Sequence, residues 1–323
     1  EATRMRSKLW YDGANKITND FSKKFEKPPE VVAGVFAVLS PQKDWFMNVS
    51  LGERVLEVMT TKQDAPWTPE MQATAQRIYG KPQYKPILDE LSGKQLSELT
   101  EAEQKAIWVR VYDETYHPRE HRIVSPEGNF EDIRTGQTGN PVKTGWGSNA
   151  EIAKAIDIID NPTMANISNK LGGQHKVRNF YNNIIDPKAN EGHVTIDTHA
   201  VAAGLMRPLA GADLEVAHNF GSNVKGTVGP KNSAVTGMKG TYGIYAEAYR
   251  RAAAERGILP REMQSITWEA IRGLYTPGYK GNKANVKVID DIWTQHKKGK
   301  ITIDEARQQA IDHAGGIDAP EWE

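Results

Sequence analysis

The 323-residue chain contains no cysteine. That excludes disulfides, thiolate zinc sites and cysteine-held iron–sulfur clusters, and it fits a reducing, intracellular setting. A dominant charge sign is also missing. The 41 basic side chains are matched by 41 acidic ones, so no global field announces a nucleic-acid or membrane partner. No apolar run approaches the length of a bilayer span, and the N-terminus shows no secretory pattern. Internal repeats and low-complexity tracts are absent too. The expectation is a cytoplasmic protein. Its hydrophobic content of 38% and charged content of 25% are those of an ordinary globular chain.

The charge that is present is unevenly spread. Residues 221–287 hold eleven Lys and Arg side chains but only four Glu and no Asp. Such an excess suits a phosphate backbone; it equally suits a solvated face balanced by an acidic face elsewhere.

Helical periodicity dominates. Trp10, Ala14, Ile17, Phe21 and Phe25 recur on one face, predicting a helix over residues 4–25. Pro28-Pro29 ends it and opens residues 30–39, apolar almost all round and so a central core helix. A third helix runs over 44–59. Further helices are expected over 69–79, 101–116 (with a capping box from Thr100 to Glu103), 148–159, 163–170, 176–185 and 197–206. The C-terminal third adds 242–256, 261–275, 285–297 and 302–313. Residues 208–240 read as a long loop. Two short runs, 121–124 and 129–133, flank Ser125-Pro126-Glu127-Gly128 as a small hairpin. The organisation expected is a core opened by residues 1–60, an insertion or lid over 61–147, a hairpin and acid segment over 148–206, and a completing helical region over 207–323.

The chemistry concentrates between residues 171 and 200. Asp197 follows the apolar run Val194-Thr195-Ile196 and precedes a helix. As an N-cap it would be stabilised by free N–H groups and the helix dipole. If it is buried facing a cleft, the same carboxylate can stabilise an oxocarbenium-like sugar cation. Lys176 stands in the first turn of its own helix. It is either a solvent-facing lysine or an amine whose ammonium the helix end disfavours, ready to attack an electrophilic sugar carbon. Gly172-Gly173 reads as a helix C-cap or as a turn that lets a phosphate approach backbone N–H groups.

Leu171-Gly172-Gly173-Gln174-His175-Lys176, followed by Val194-Thr195-Ile196-Asp197-Thr198-His199 with Asp197 twenty-one residues after Lys176, resembles the signature of helix–hairpin–helix DNA glycosylases. A second stretch, Ala37-Val38-Leu39-Ser40-Pro41-Gln42 with Asn48 beyond it, resembles that family's early core helix. The resemblance implies an all-α, two-lobed, glycosylase-like fold with a small irregular or β-hairpin insertion. It places Lys176 on the Schiff-base lysine and Asp197 on the catalytic aspartate. Gln42 falls on the residue that fills the gap left by a flipped base. By the same implication DNA would be touched by Gln42, Asn48, Gly172, Gly173, Gln174, His175 and Arg178, and Trp45, Tyr242 and Trp268 are candidates to line the base pocket. The partner would be double-stranded DNA with one flipped base, bound by a monomer. No cofactor is obligatory, and a monovalent cation at the hairpin is the one optional ion. The sequence departs from the family pattern at Gln174, which replaces a hairpin glycine, and at Val177-Arg178 after the lysine. The C-terminal third, from Gly243 to Trp268, resembles helix–hairpin–helix proteins of bacteriophages and their hosts.

Two alternatives stand beside base excision. One keeps the fold and moves an amine or amino acid onto a pyrimidine in DNA, leaving a heavier nucleoside. The other is a non-catalytic DNA-binding module, indifferent to changes at Asp197 and Lys176.

Overall fold

The computed structural model describes residues 7–173, 175–220 and 240–317. Among them are sixteen α-helices and one two-stranded antiparallel hairpin, so the chain is predominantly helical, as its periodicity predicts. None of these helices is long and apolar enough to cross a membrane. The chain divides into two compact units, Asp12–Gly173 and Glu1–Tyr11 with Gln174–Glu323.

In the unit Asp12–Gly173, α1 (Trp10–Phe25) is followed by α2 (Pro29–Leu39), in which every residue from Val31 to Leu39 is buried. That all-round burial is what its uninterrupted apolar sequence demands. Around α2 pack α3 (Trp45–Thr61), α7 (Asn149–Asp160) and α8 (Met164–Leu171). The Asp44 carboxylate caps α3 by accepting from the Met47 N–H at 3.0 Å. The hydroxyls of Ser148 and Thr163 do the same for α7 and α8.

The stretch expected as an insertion or lid, residues 61–147, carries helices and the hairpin. It contains α4 (Pro69–Tyr79), α5 (Lys85–Leu91), α6 (Ala102–Tyr116) and the strands β1 (Arg122–Val124) and β2 (Phe130–Ile133). Helix α6 buries Ile107, Trp108 and Val111 completely and packs on α3, α4 and α7, so it is part of the core. The capping box expected from Thr100 to Glu103 is not formed: Glu101 is the N-cap residue, without a side-chain cap. The hairpin pairs Arg122 with Ile133 and Val124 with Phe130. Its turn comes so close to α1 that a Cβ on Gly13 would collide with the Pro126 carbonyl.

A buried charge network ties these pieces together. Asp113, on α6, is fully buried. Its Oδ1 accepts from Arg54 Nη1 at 2.8 Å and hydrogen-bonds His117 Nδ1 at 2.7 Å. Its Oδ2 accepts from Arg119 Nη1 at 2.9 Å and Trp146 Nε1 at 2.8 Å. Arg54 also donates to the Pro118 and Glu120 carbonyls. Four partners match the four lone-pair sites of a carboxylate. Burial alone would raise the Asp113 pKa. The His117 hydrogen bond, the Arg54 charge and hydrogen bond, and the Arg119 hydrogen bond outweigh it and hold the carboxyl at about 2.

The unit Glu1–Tyr11 with Gln174–Glu323 contains α9 (His175–Ile185), α10 (Thr198–Leu205), α11 (Leu214–Asn219), α12 (Tyr242–Glu255), α13 (Pro260–Leu274), α14 (Pro277–Gly281), α15 (Lys283–Lys297) and α16 (Ile303–His313). Helix α10 is small-sided, and Ala200, Val201 and Ala202 let α11, α12 and α13 pack closely on it. Helix α11 falls within residues 208–240, expected as loop; its short apolar run is held by burial of Val216. Residues 221–239 of that stretch lie outside the described residues. Thr302 and Glu305 form the predicted capping box of α16.

The Asp113 network gives two expectations. Asp113→Ala leaves Arg54 uncompensated and should lower unfolding free energy by roughly 3–5 kcal/mol in a denaturant titration; a loss under about 1 kcal/mol, the scale of exposed ion pairs, contradicts this role. An unfolded carboxyl titrates near 3.9, so the depressed folded value contributes roughly 2–3 kcal/mol. That contribution is complete above the unfolded value and disappears as pH falls through the folded one. Wild type should therefore lose stability more steeply than Asp113→Asn between roughly pH 4 and pH 2.

Candidate active site

The site is built on an extended segment with no partner strand. Val194, Thr195 and Ile196 are buried, so their backbone polar groups need partners other than water. Side chains supply them. The Tyr242 hydroxyl donates to the Val194 carbonyl at 2.7 Å and accepts from the Ile196 N–H at 2.9 Å. Asn179 Oδ1 accepts from the Val194 N–H, and Asn219 Nδ2 donates to the Ile196 carbonyl. Asn183 Nδ2 donates to the Thr195 hydroxyl at 3.0 Å. The Tyr242 hydroxyl is buried, which raises its pKa and keeps it neutral, able to donate and accept at once. The tyrosine thus takes the place of a neighbouring strand.

Asp197 emerges from this clamp as the N-cap of α10, its Oδ1 accepting from the Ala200 N–H at 2.8 Å. The N-cap reading of the sequence holds. The residue is half-buried, neither sealed into the core nor fully in water. Further along α10, Tyr249 donates to the Ala200 carbonyl and locks the first turn onto α12.

The charges of Asp197, Lys280, Arg272 and Lys176 all act on the His199 ring. Burial lowers the His199 pKa below its ordinary value. The Asp197 charge opposes this, while Lys280, Arg272 and Lys176 reinforce it. The ring is therefore a neutral imidazole near neutral pH. Its Nδ1 is buried and has no hydrogen-bond partner among the described residues. Its edge meets the Trp268 ring with centroids 5.9 Å apart, and the Arg272 guanidinium stands 4.3 Å from the Trp268 centroid. Burial also lowers the Lys280 pKa, opposed by Asp197 and deepened by Arg272.

Lys176 and Asp197 belong to the same unit, and both charges act on His199. Lys176 is half-buried in the first turn of α9, and His175 beside it is exposed, its ring 5.4 Å from that of Tyr242. Arg178 is half-buried on the same helix. Gln174 lies outside the described residues. Gly172 ends α8 with a positive φ of 64°, and its N–H bonds back to Asn169 and Ser168, so it is a C-cap. Gly173 is exposed. Gln42 is exposed in the turn between α2 and α3 with a φ of 58°, a left-handed conformation that a non-glycine residue rarely holds.

Three candidates need correction. Asn48 is buried and donates from Nδ2 to the Phe36 carbonyl at 3.0 Å, so it ties α3 to α2 and cannot reach DNA. Trp45 is buried against Phe36, with ring centroids 5.5 Å apart, and is core rather than pocket. Tyr242 is buried by its work on Val194 and Ile196 and lines no base pocket. Trp268 remains half-exposed beside His199. The sequence reading gave His199 no role and missed Arg272 and Lys280. The basic excess of residues 221–287 was the one signal that contained the latter two. Among the described residues no three His, Asp or Glu side chains gather as a metal site would require.

Tyr242→Phe removes one hydroxyl and strands two buried backbone groups. It should cost about 1–3 kcal/mol of stability, read by denaturant unfolding. A change within experimental error would show that the segment does not need the clamp.

Neither the curated proteins nor the solved structures contain a match to this chain. Residues 1–84 and 133–274 match a family of unknown function, DUF7178, and these spans cover well over half of the sequence. They include Lys176, Asp197, His199, Trp268 and Arg272, and they omit residues 85–132, where α6 supplies core. The chain is a member of the DUF7178 family.

Proposed function

We propose that this protein excises a base from DNA, with Asp197 as the group that stabilises the sugar cation. The observation that carries the reading is the setting of Asp197: a half-buried carboxylate held by a rigid clamp, with cationic side chains and an aromatic ring beside it. The resemblance of residues 171–176 and 194–199 to the glycosylase signature supports the same reading.

In this mechanism a nucleotide rotates out of the duplex, and its base stacks over Trp268 in the place now held by the exposed Arg272 guanidinium. The C1′–N bond breaks with its electron pair leaving on the base, which takes up a proton. Positive charge develops on the sugar, and the fixed Asp197 carboxylate stabilises it. Water adds to C1′ and gives its proton to Asp197, which returns it to solvent. Lys176, Arg272 and Lys280 supply positive charge to the flanking phosphates. Exposed Gln42, Gly173 and His175 are candidate DNA contacts on their own segments, as is the half-buried Arg178. A monovalent cation at the hairpin glycines Gly172 and Gly173 belongs to the same proposal.

The test uses labelled duplexes carrying a panel of damaged and modified bases. Asn is as good an N-cap as Asp, so Asp197→Asn keeps α10 capped and removes only the negative charge. Abasic sites should form with wild type and fall by roughly a hundredfold or more with Asp197→Asn. Absence of abasic product from every duplex, or undiminished product with Asp197→Asn, contradicts the proposal. Heavier, intact nucleosides in the digested DNA would assign the site to base modification instead.

A further inference from the structure

Arg54 and Arg261 are the two buried arginines among the described residues. Every side-chain nitrogen of Arg54 donates a hydrogen bond: Nε to the Ser50 hydroxyl, Nη1 to Asp113, and Nη2 to the Pro118 and Glu120 carbonyls. Arg261, in the first turn of α13, is 4% exposed and has no such set. Its Nε and Nη1 are buried without a hydrogen-bond partner among the described residues. Its ion pair is with its chain neighbour Glu262, from Nη2 to Oε1 at 3.9 Å, too long for a hydrogen bond. The other Glu262 oxygen accepts from the Leu259 N–H at 2.9 Å, which holds that carboxylate at the start of the helix.

This face of α13 is rich in donors and short of acceptors. Gln264 and Ser265 stand three and four residues beyond Arg261, where side chains on a helix adjoin, and both are buried. Gln264 Oε1 is engaged, accepting from the Tyr11 hydroxyl at 2.8 Å, while its Nε2 amide donates no hydrogen bond among the described residues. The Ser265 hydroxyl donates to the Glu262 carbonyl at 3.2 Å. A guanidinium carries five N–H donors, no acceptor and a permanent charge. Its burial is tolerated when those donors are occupied. The missing component is an acceptor with negative charge, and the planar guanidinium matches the oxygens of an oxyanion.

We propose that Arg261 and the Gln264 amide form a buried site for a small inorganic oxyanion of the phosphate class. A water molecule would accept from the same donors but add no countercharge. Burial closes the site to a DNA phosphate, so base excision does not use it. Its ligand would anchor the start of the helix whose later turns carry Trp268 and Arg272.

The experiment follows thermal unfolding of the full chain against inorganic phosphate, with ionic strength held constant by sodium chloride. Phosphate stabilises folded proteins in general, so the readout is the excess shift of wild type over its variants. The wild-type midpoint should climb with the logarithm of phosphate concentration, as for a ligand of the native state alone. Arg261→Met, which removes the donors and keeps an apolar stem, should lose that excess. Gln264→Glu should lose it too, since it keeps an acceptor for Tyr11 and places a carboxylate where the anion would sit. Arg251→Ala, at an exposed arginine, should retain it. Equilibrium dialysis with radiolabelled phosphate should find a single saturable site in wild type and none in Gln264→Glu. That near-isosteric variant decides the matter if Arg261→Met does not fold. An equal phosphate response in wild type and Gln264→Glu, or no phosphate retained by wild type, overturns the proposal. Neither readout contains DNA, so either result leaves base excision where it stands.

Discussion

The candidate site depends on a single hydroxyl group. Residues 194–196 are extended and buried with no strand alongside, an arrangement that would leave backbone N–H and C=O groups stranded. The Tyr242 hydroxyl resolves it by accepting from Ile196 and donating to Val194 within one geometry, with Asn179, Asn183 and Asn219 completing the set. Because side chains from packed helices satisfy the backbone groups of Val194 and Ile196 and the Thr195 hydroxyl, the segment is held in place. Asp197 inherits that rigidity. A carboxylate that must meet developing charge gains from being fixed in advance, since no reorganisation is then needed during the reaction.

The unit Asp12–Gly173 solves a different problem with similar means. Its irregular stretch after α6 offers few apolar residues for burial, and it is anchored by charge. Asp113 gathers Arg54, His117, Arg119 and Trp146 around one carboxylate, and Arg54 passes the connection on to the carbonyls of Pro118 and Glu120. A buried ion network is tolerable only when every lone pair and donor is occupied, and the Asp113 carboxylate meets that condition.

Sequence reached much of this through local signals. Apolar spacing predicted the helices, the all-round apolar run of α2 predicted its central burial, and Ser148, Thr163, Asp197 and Thr302 marked helix starts because capping chemistry is local. Asp197 was legible for that reason. The resemblance also singled out Lys176, which proved to be within electrostatic reach of the same histidine. It failed where a residue's fate depended on distant partners. Asn48 and Trp45 sit beside the exposed Gln42 in sequence, yet helix geometry turns both inward against Phe36. Tyr242 reads as a pocket aromatic until its hydroxyl is seen on Val194 and Ile196. Asp113 and its partners span α3, α6 and the loop that follows, a pairing no local pattern announces. Lys280 lies in a short Pro- and Gly-containing stretch with no periodicity, and only the fold brings its charge to act on His199.

The account turns on whether an extruded nucleotide meets the Asp197 carboxylate. A crystal structure of the protein bound to a duplex carrying a stable abasic analogue measures this directly. The account predicts the extruded sugar facing Asp197, with its C1′ position within contact distance of the carboxylate and Trp268 beside the vacated base space. A duplex bound at another surface, or one bound without extrusion while Asp197 faces only solvent, would contradict it.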